Sequence, residues 1–276
     1  MVETEYVLGT HHRELERLGR QHEVWKANAL AAWRLAGVGP GHTVLDIGAG
    51  PGYAALDLAS LVEPGGKVIA VERSRRFLEA LERTAATRGL TNVHTVEADL
   101  LEADLGDEIA DVAWCRWVLS FVAKPGQVID RVARALRHGG IAIFHEYVDY
   151  GRWSLIPRCP DLDLFVREVM ASWRDAGGEP DVAGYIVSQL SRVGLTIVSI
   201  RPHCATVAPG DPLWEWLAEF VGSGVERLVG TGRLTAHAGE RVMAAMRNAA
   251  CNPNSRMATP CALEIVARSA CRRDST

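Results

Sequence analysis

The run Val44-Leu45-Asp46-Ile47-Gly48-Ala49-Gly50-Pro51-Gly52 limits what this chain can fold into more than any other stretch. An apolar strand ends in a glycine-rich turn, and the residues after it read as a helix. Glycines there permit positive φ and let a ligand approach the backbone closely. A strand, a glycine turn and a helix form the first unit of a doubly wound α/β sheet, whose ligands sit at the carboxyl ends of the strands.

The following residues repeat the unit. Thr43–Ile47 is the first strand, and a helix is expected from about Gly52 to Val62. Lys67–Val71, Val93–Glu97, Val112–Cys115 and Ile141–Glu146 read as four more strands. Helices are expected at Arg75–Arg88 and Gln127–Leu136, the latter leading through Gly139-Gly140. Strands alternating with amphipathic helices imply a parallel sheet covered on both faces. Ahead of the sheet, residues from Thr10 to Leu35 read as one or two helices, with Leu15, Leu18 and Trp25 on one face.

After Tyr150 the pattern changes. Asp161 and Asp181 are candidate caps for two helices, and Leu195–Ile200 reads as a strand. Asp211-Pro212 opens a helix, Thr235 caps another, and Ala262–Ala267 is a last strand. The expected fold is therefore a Rossmann-like, mostly parallel, seven-stranded sheet with helical cap insertions. Its parts are a helical lid over residues 1–40, a ligand-binding core over 41–150, and edge strands with a cap over 151–276. Trp153, Trp173, Trp214 and Trp216 concentrate in that last part, which points to apolar walls around a ligand mouth.

Composition narrows the function classes. The chain of 276 residues is 48% hydrophobic and 23% charged, enough for a sizeable core. A net charge of −4 gives no basic footprint for nucleic acid. Six cysteines occur without a Cys-x-x-Cys pair, which argues against structural zinc and for reduced thiols. The acidic, polar start is unlike a leader peptide, and no run reaches the ~18 apolar residues of a membrane span. A cytoplasmic protein without membrane partner is expected, and a homodimer is left open.

Neighbouring residues decide what the glycine turn holds. In the dinucleotide fingerprint G-x-G-x-x-G the third glycine would fall at Tyr53, which is far too large. Pro51 removes an N–H where a pyrophosphate wants donors. Asp46 adds a carboxylate, and two like charges ~4 Å apart repel by roughly 1 kcal/mol in water and ~4 at intermediate dielectric. A ligand carrying an ammonium and a sulfonium gains where a pyrophosphate loses. Glu72, after the second strand, can accept both hydroxyls of a ribose, and Asp99 with Leu100, after the third, suits an adenine.

VLDIGAGPGYAALDLA, VERS, EADL and ALRHGGIAIFHEY together resemble the class I S-adenosylmethionine-dependent methyltransferases, most closely bacterial small-molecule ones. The resemblance runs from Tyr6 to Asp149. It implies that Asp46, Gly48 and Gly50 line the methionine part of S-adenosylmethionine, that Glu72 holds the ribose, and that Ala98, Asp99 and Leu100 hold the adenine. Ala49, Gly52, Arg73 and Cys115 complete the expected cofactor wall, with Tyr6 closing over it. Arg116 falls near the reacting methyl, and S-adenosylhomocysteine is the implied product.

Methyl transfer from a sulfonium is an in-line displacement, so a base is needed only when the acceptor must lose a proton. His145 and Glu146, at the end of the fifth strand, are the candidates, with His145 and Tyr147 on one side and Glu146 on the other. Trp117, Tyr147, Tyr150, Trp153 and Trp173 are expected to contact a small, partly aromatic substrate. No metal is expected, since Trp114-Cys115-Arg116-Trp117 offers no carboxylate after the fourth strand. Two other readings keep the fold: a cyclase or lyase using S-adenosylmethionine structurally, and a regulatory binding module without turnover.

Overall fold

The computed structural model describes residues 12–270. The expectation placed on Tyr6 lies outside the described residues. Among the described residues a single helix, α1 (His12–Leu35), precedes the first strand. Then come β1 (Thr43–Ile47), α2 (Tyr53–Val62), β2 (Lys67–Glu72), α3 (Arg75–Thr87), β3 (Val93–Glu97), β4 (Ala110–Arg116), α4 (Pro125–Ala135) and β5 (Leu136–Asp149). The cap elements are β6 (Ser154–Ile156) and α5 (Pro160–Asp175), followed by α6 (Ala183–Leu190), β7 (Leu195–His203), β8 (Thr206–Val207), α7 (Pro212–Gly230), α8 (Ala236–Cys251), β9 (Arg256–Ala258) and β10 (Cys261–Ser269).

Seven strands form one sheet in the order β3-β2-β1-β4-β5-β10-β7. The first five are parallel, while β10 runs antiparallel to both β5 and β7. The order reverses between β1 and β4, where Ile47 pairs with Cys115, and that switch point opens the crevice of a doubly wound sheet. β1 is buried along its whole length, as a central strand covered on both faces must be.

Most boundaries fall within a few residues of expectation. β5 is longer, because Leu136 already pairs with Ala110 before a register shift resets the strand at Ile141. Two expected caps do not cap. α5 starts at Pro160, with Asp161 inside its first turn, and the Asp181 carboxylate instead accepts the Tyr150 N–H at 2.7 Å. Asp211 and Thr235 do cap, accepting from Leu213 N and Ala238 N. An antiparallel sheet in the order β6-β9-β8 was not expected, because strands of two or three residues carry too little periodicity to read.

α1 divides its work. Ala29, Ala32 and Trp33 pack on the sheet with Val44, Leu58 and Trp114, the Trp33 and Trp114 rings meeting edge-on at 5.4 Å. Its preceding turns lean towards the cap, where Trp216 Nε1 donates to Gln21 Oε1. α5, α7 and α8 pack around Phe165, Val169, Trp214 and Val242, with Trp153 among them. Among the described residues no helix is long and apolar enough to cross a membrane, and no cluster of three metal-ligating side chains occurs.

Candidate functional site

The turns after β1, β2, β3 and β4 meet at one cleft enclosing about 1400 Å3, mouth included. Its floor is the glycine turn. Gly48 takes φ +67, and a Cβ there would come within 2.5 Å of Val118 Cγ2, so the glycine lets the loop after β4 close on the turn. Gly50 takes φ +56 and has nothing within 4 Å of where its Cβ would be. The turn is thus packed on one side and open on the side that faces a ligand. Gly52 belongs to the packed side: a Cβ would strike Leu81, and the residue does not line the cleft.

Glu72, at the end of β2, braces this turn. Its Oε2 accepts the Gly50 N–H at 3.0 Å and its Oε1 the Ser74 N–H at 2.9 Å. Burial raises its pKa against those two hydrogen bonds. Each oxygen keeps further acceptor capacity, so a diol can still be bound. Arg73, Phe77, Ala98, Asp99 and Leu100 complete this end of the cleft. Asp99 Oδ1 accepts the Leu101 N–H at 2.8 Å, which fixes the carboxylate at the mouth.

At the centre lies Asp46, buried, with Oδ2 lacking any hydrogen-bond partner. Burial raises its pKa to about 7, with Arg116 opposing the shift. Arg116 projects from the end of β4. Its Nη2 donates to His22 Nδ1 at 3.0 Å, while its Nη1 is buried without a partner. A guanidinium can only donate, so His22 accepts at Nδ1 and its Nε2 hydrogen points to Asp57 Oδ2, 3.0 Å away. Lys26 also reaches Asp57. Three elements, α1, α2 and β4, thereby hold the Arg116 side chain across the cleft.

The remaining wall is aromatic. Trp117 stacks on Tyr147 at 5.6 Å and on Trp216 at 5.6 Å, and Tyr150 meets Tyr147 edge-on at 4.9 Å. Phe121, Trp173 and Phe220 extend it. Trp117 takes φ 51, a conformation costly for a bulky side chain, and its own N–H bonds His145 O at 3.0 Å. Glu146 keeps the next turn in place: Oε1 accepts Val118 N at 2.7 Å and Leu119 N at 2.8 Å, and Oε2 accepts the Ser120 hydroxyl at 2.7 Å.

The expected site residues divide accordingly. Asp46, Gly48, Ala49, Gly50, Glu72, Arg73, Ala98, Asp99, Leu100 and Arg116 all line the cleft, as do Trp117, Tyr147, Tyr150 and Trp173. Cys115 does not; it points into the core beside Leu45 and Phe144. Trp153 does not either, for it fills the cap interior, with Nε1 on Met257 Sδ. Glu146 is fully buried on the far side of β5 and its oxygens are taken by the loop. His145 is also fully buried, in a cage of Trp25, Trp114, Trp117 and His203 rings, and neither nitrogen has a partner. Trp117 separates its imidazole from the cleft, and burial pushes its pKa well below the usual histidine range.

Several lining residues escaped the sequence reading. Arg17 and His22, which nothing in the local sequence marks as ligand-facing, line the cleft from one side of α1, beside Leu18 of its expected apolar face. Tyr53, too large for a dinucleotide glycine, lines the cleft and donates its hydroxyl to Leu15 O at 2.9 Å.

Residues 39–175 match the family described as a methyltransferase domain. The chain is 30% identical over 206 residues to an uncharacterized 37.1 kDa transposon protein of Streptomyces fradiae, covering 73% of this chain and 56% of that protein. It is 29% identical over 130 residues to the ubiquinone/menaquinone biosynthesis C-methyltransferase of Ectopseudomonas mendocina, covering 47% of this chain and 50% of that enzyme. The chain spans about half the length of these curated relatives. A geranyl diphosphate methyltransferase solved in complex with S-adenosylmethionine shares the fold, with a TM-score of 0.58 at 19% identity over 92% of this chain and 89% of that one. Residues 39–175 thus belong to the methyltransferase-domain family, and the chain has the Rossmann-like methyltransferase fold.

Proposed function

We propose that the protein methylates a small, largely aromatic acceptor, free in solution rather than part of a nucleic acid or membrane. The observation that carries this reading is the position of Asp46. A buried carboxylate with an unpartnered oxygen lies at the glycine turn, between a polar wall suited to a nucleoside and a wall of stacked rings. An unpaired buried acceptor of this kind calls for a cationic or donating ligand group.

S-adenosylmethionine fits these residues and supplies an electrophilic methyl on a positively charged sulfur. Asp46 receives the ammonium, Glu72 the ribose hydroxyls, and Asp99 with Leu100 the adenine. Gly48, Ala49 and Gly50 let the methionine part lie against backbone. Arg73 and Ala98 flank the nucleoside. The dimension left to the acceptor is bounded by Trp117, Tyr147, Tyr150, Trp173 and Phe220, whose flat faces orient a ring and keep water out.

Catalysis then rests on alignment, which contributes up to about 7–11 kcal/mol in well-oriented systems. His22 is the only imidazole among the described lining residues, and both its nitrogens are engaged. Arg116 has a free Nη1 hydrogen-bonding group beside Trp117 and can stabilise a developing or preformed anionic oxygen on the acceptor. A phenol or enol held there as its anion needs no separate base. The relationship to a quinone C-methyltransferase supports an acceptor of that electron-rich kind.

The test is to incubate the protein with methyl-labelled cofactor and a panel of phenols, enols and hydroxyquinones. One S-adenosylhomocysteine is expected per labelled product. Product formed without S-adenosylhomocysteine overturns methyl transfer in favour of a cyclase or lyase, and binding without any turnover favours a regulatory module.

A further inference from the structure

Away from the cleft, two cysteines meet where the main sheet gives way to the small one. β7 and β10 are antiparallel, with His203 opposite Ala262. Cys204 directly follows His203 and Cys261 directly precedes Ala262, so the two cysteines lie at the adjoining ends of these strands. Beyond them both strands cross to the cap sheet, where Ala205 N donates to Thr259 Oγ1, Thr259 N donates to Ala205 O, and Thr206 pairs with Ala258. Residues facing each other on antiparallel strands have Cα atoms about 4.5–5.5 Å apart, inside the range of about 4.4–6.8 Å that a disulfide spans. Cys204 is close enough to Cys261 to raise its pKa, and the Cys261 thiol itself reaches Ala262 O at 3.9 Å. Cys204 is exposed, Cys261 is partly buried, and both are free thiols.

We propose that Cys204 and Cys261 are a reversible dithiol–disulfide pair that ties together the ends of β7 and β10 where the main sheet gives way to the cap sheet. The oxidant is a low-molecular-weight disulfide such as oxidised glutathione. The exposed Cys204 thiolate attacks one of its sulfurs, forming a mixed disulfide and releasing one glutathione thiol. Cys261 then loses its proton to water and attacks Cys204 Sγ, and the second glutathione leaves as a thiol. Two protein thiols are oxidised and one external disulfide is reduced. Burial and the neighbouring thiol raise the Cys261 pKa to about 11, so Cys204 starts the exchange and Cys261 resolves it.

The bond has a structural consequence. Cys261 pairs with Asp149 and Ala262 with Tyr147 on β5, so the staple borders the strand that feeds the aromatic wall. It also closes a long loop containing α7 and α8, and cross-links over long loops constrain the unfolded chain most.

The experiment treats the folded, reduced protein with oxidised glutathione, alkylates what remains, and maps the products by mass without reduction. Expected for the wild type is a loss of two hydrogens with peptides containing Cys204 and Cys261 linked, reversed by a dithiol. The midpoint of thermal unfolding rises by about 5 °C. Cys261→Ser stops at a glutathione adduct on Cys204, and Cys204→Ser reacts at least about tenfold more slowly. Conversion of the mixed to the internal disulfide speeds up about tenfold between pH 7 and 8 as Cys261 ionises. A wild-type protein that stops at the Cys204 adduct, or that links other cysteines, overturns the proposal.

Discussion

Replacing Glu146 separates two roles that its place in the sequence cannot. As a base, Glu146 would lose turnover on substitution by either alanine or glutamine. As the brace of the loop after β4, it should tolerate glutamine and not alanine. The carboxylate satisfies three donors, Val118 N, Leu119 N and the Ser120 hydroxyl, all within 2.8 Å. Alanine strands them in a buried pocket, at about 1–3 kcal/mol each. Two of the three are adjacent backbone groups that can shift together, so the sum is discounted to about 3–5 kcal/mol. That corresponds to roughly 6–15 °C in the unfolding midpoint. Trp117, at φ 51, loses the turn that holds it, so acceptor KM should rise about tenfold or more in whatever fraction remains folded.

In Glu146→Gln one oxygen keeps both backbone donors, and the amide donates to a rotated Ser120 hydroxyl. The cost should stay under about 1.5 kcal/mol and kcat within about threefold. The substitution also carries a pH signature. Burial raises the Glu146 pKa to about 7 from its ordinary 4.5. The folded state therefore keeps a proton that the unfolded chain releases, and stability falls as pH rises from about 4.5 through 7. Glutamine removes this slope. Thermal melts from pH 4.5 to 8 together with steady-state kinetics check all of it. Equal loss of kcat in both variants with unchanged melting would refute the bracing argument and restore proton transfer.

Three further outcomes follow from the same geometry. Glu72→Ala should weaken S-adenosylmethionine binding at least about tenfold by calorimetry, because it removes both the diol acceptor and the Gly50 brace; unchanged affinity takes Glu72 out of the site. Cofactor affinity should fall about tenfold per pH unit below 7, where Asp46 takes up its proton and stops attracting an ammonium, and Asp46→Asn should flatten that profile. His145→Phe should leave the melting temperature unchanged or higher and kcat within about threefold, since neither ring nitrogen has a partner to lose; a drop of about 100-fold at constant stability would make the imidazole the base.

The glycine-turn half of the cleft was legible in the sequence because it is built from consecutive positions. Asp46 to Gly50 run from the end of β1 into its turn, Glu72 and Arg73 from the end of β2, and Ala98 to Leu100 follow β3. Local rules fix such residues: the strand ends, the chain turns, and whatever stands there faces the crevice. The aromatic half depends on residues far apart in the chain. Trp117, Tyr147, Trp173 and Trp216 come from four elements, and only packing decides which ring faces the cavity and which fills the cap. Trp153 illustrates the limit: nothing in its local sequence separates it from Trp173, yet one is core and the other is wall.

The alternation along β5 was read correctly but did not by itself give chemistry. His145 and Tyr147 do share a face, and Glu146 takes the other. What the period could not supply was the loop after β4, which folds back over both faces. It lays Trp117 across His145 on one side and delivers three donors to Glu146 on the other. Both residues at the end of β5 are thereby withdrawn from the cleft by the same segment, whose approach to the glycine turn requires Gly48. A side chain at the carboxyl end of a strand is thus a candidate for chemistry only if the next loop leaves it uncovered. Here Arg116, one residue before the loop turns, keeps an unpartnered charged donor beside the aromatic wall.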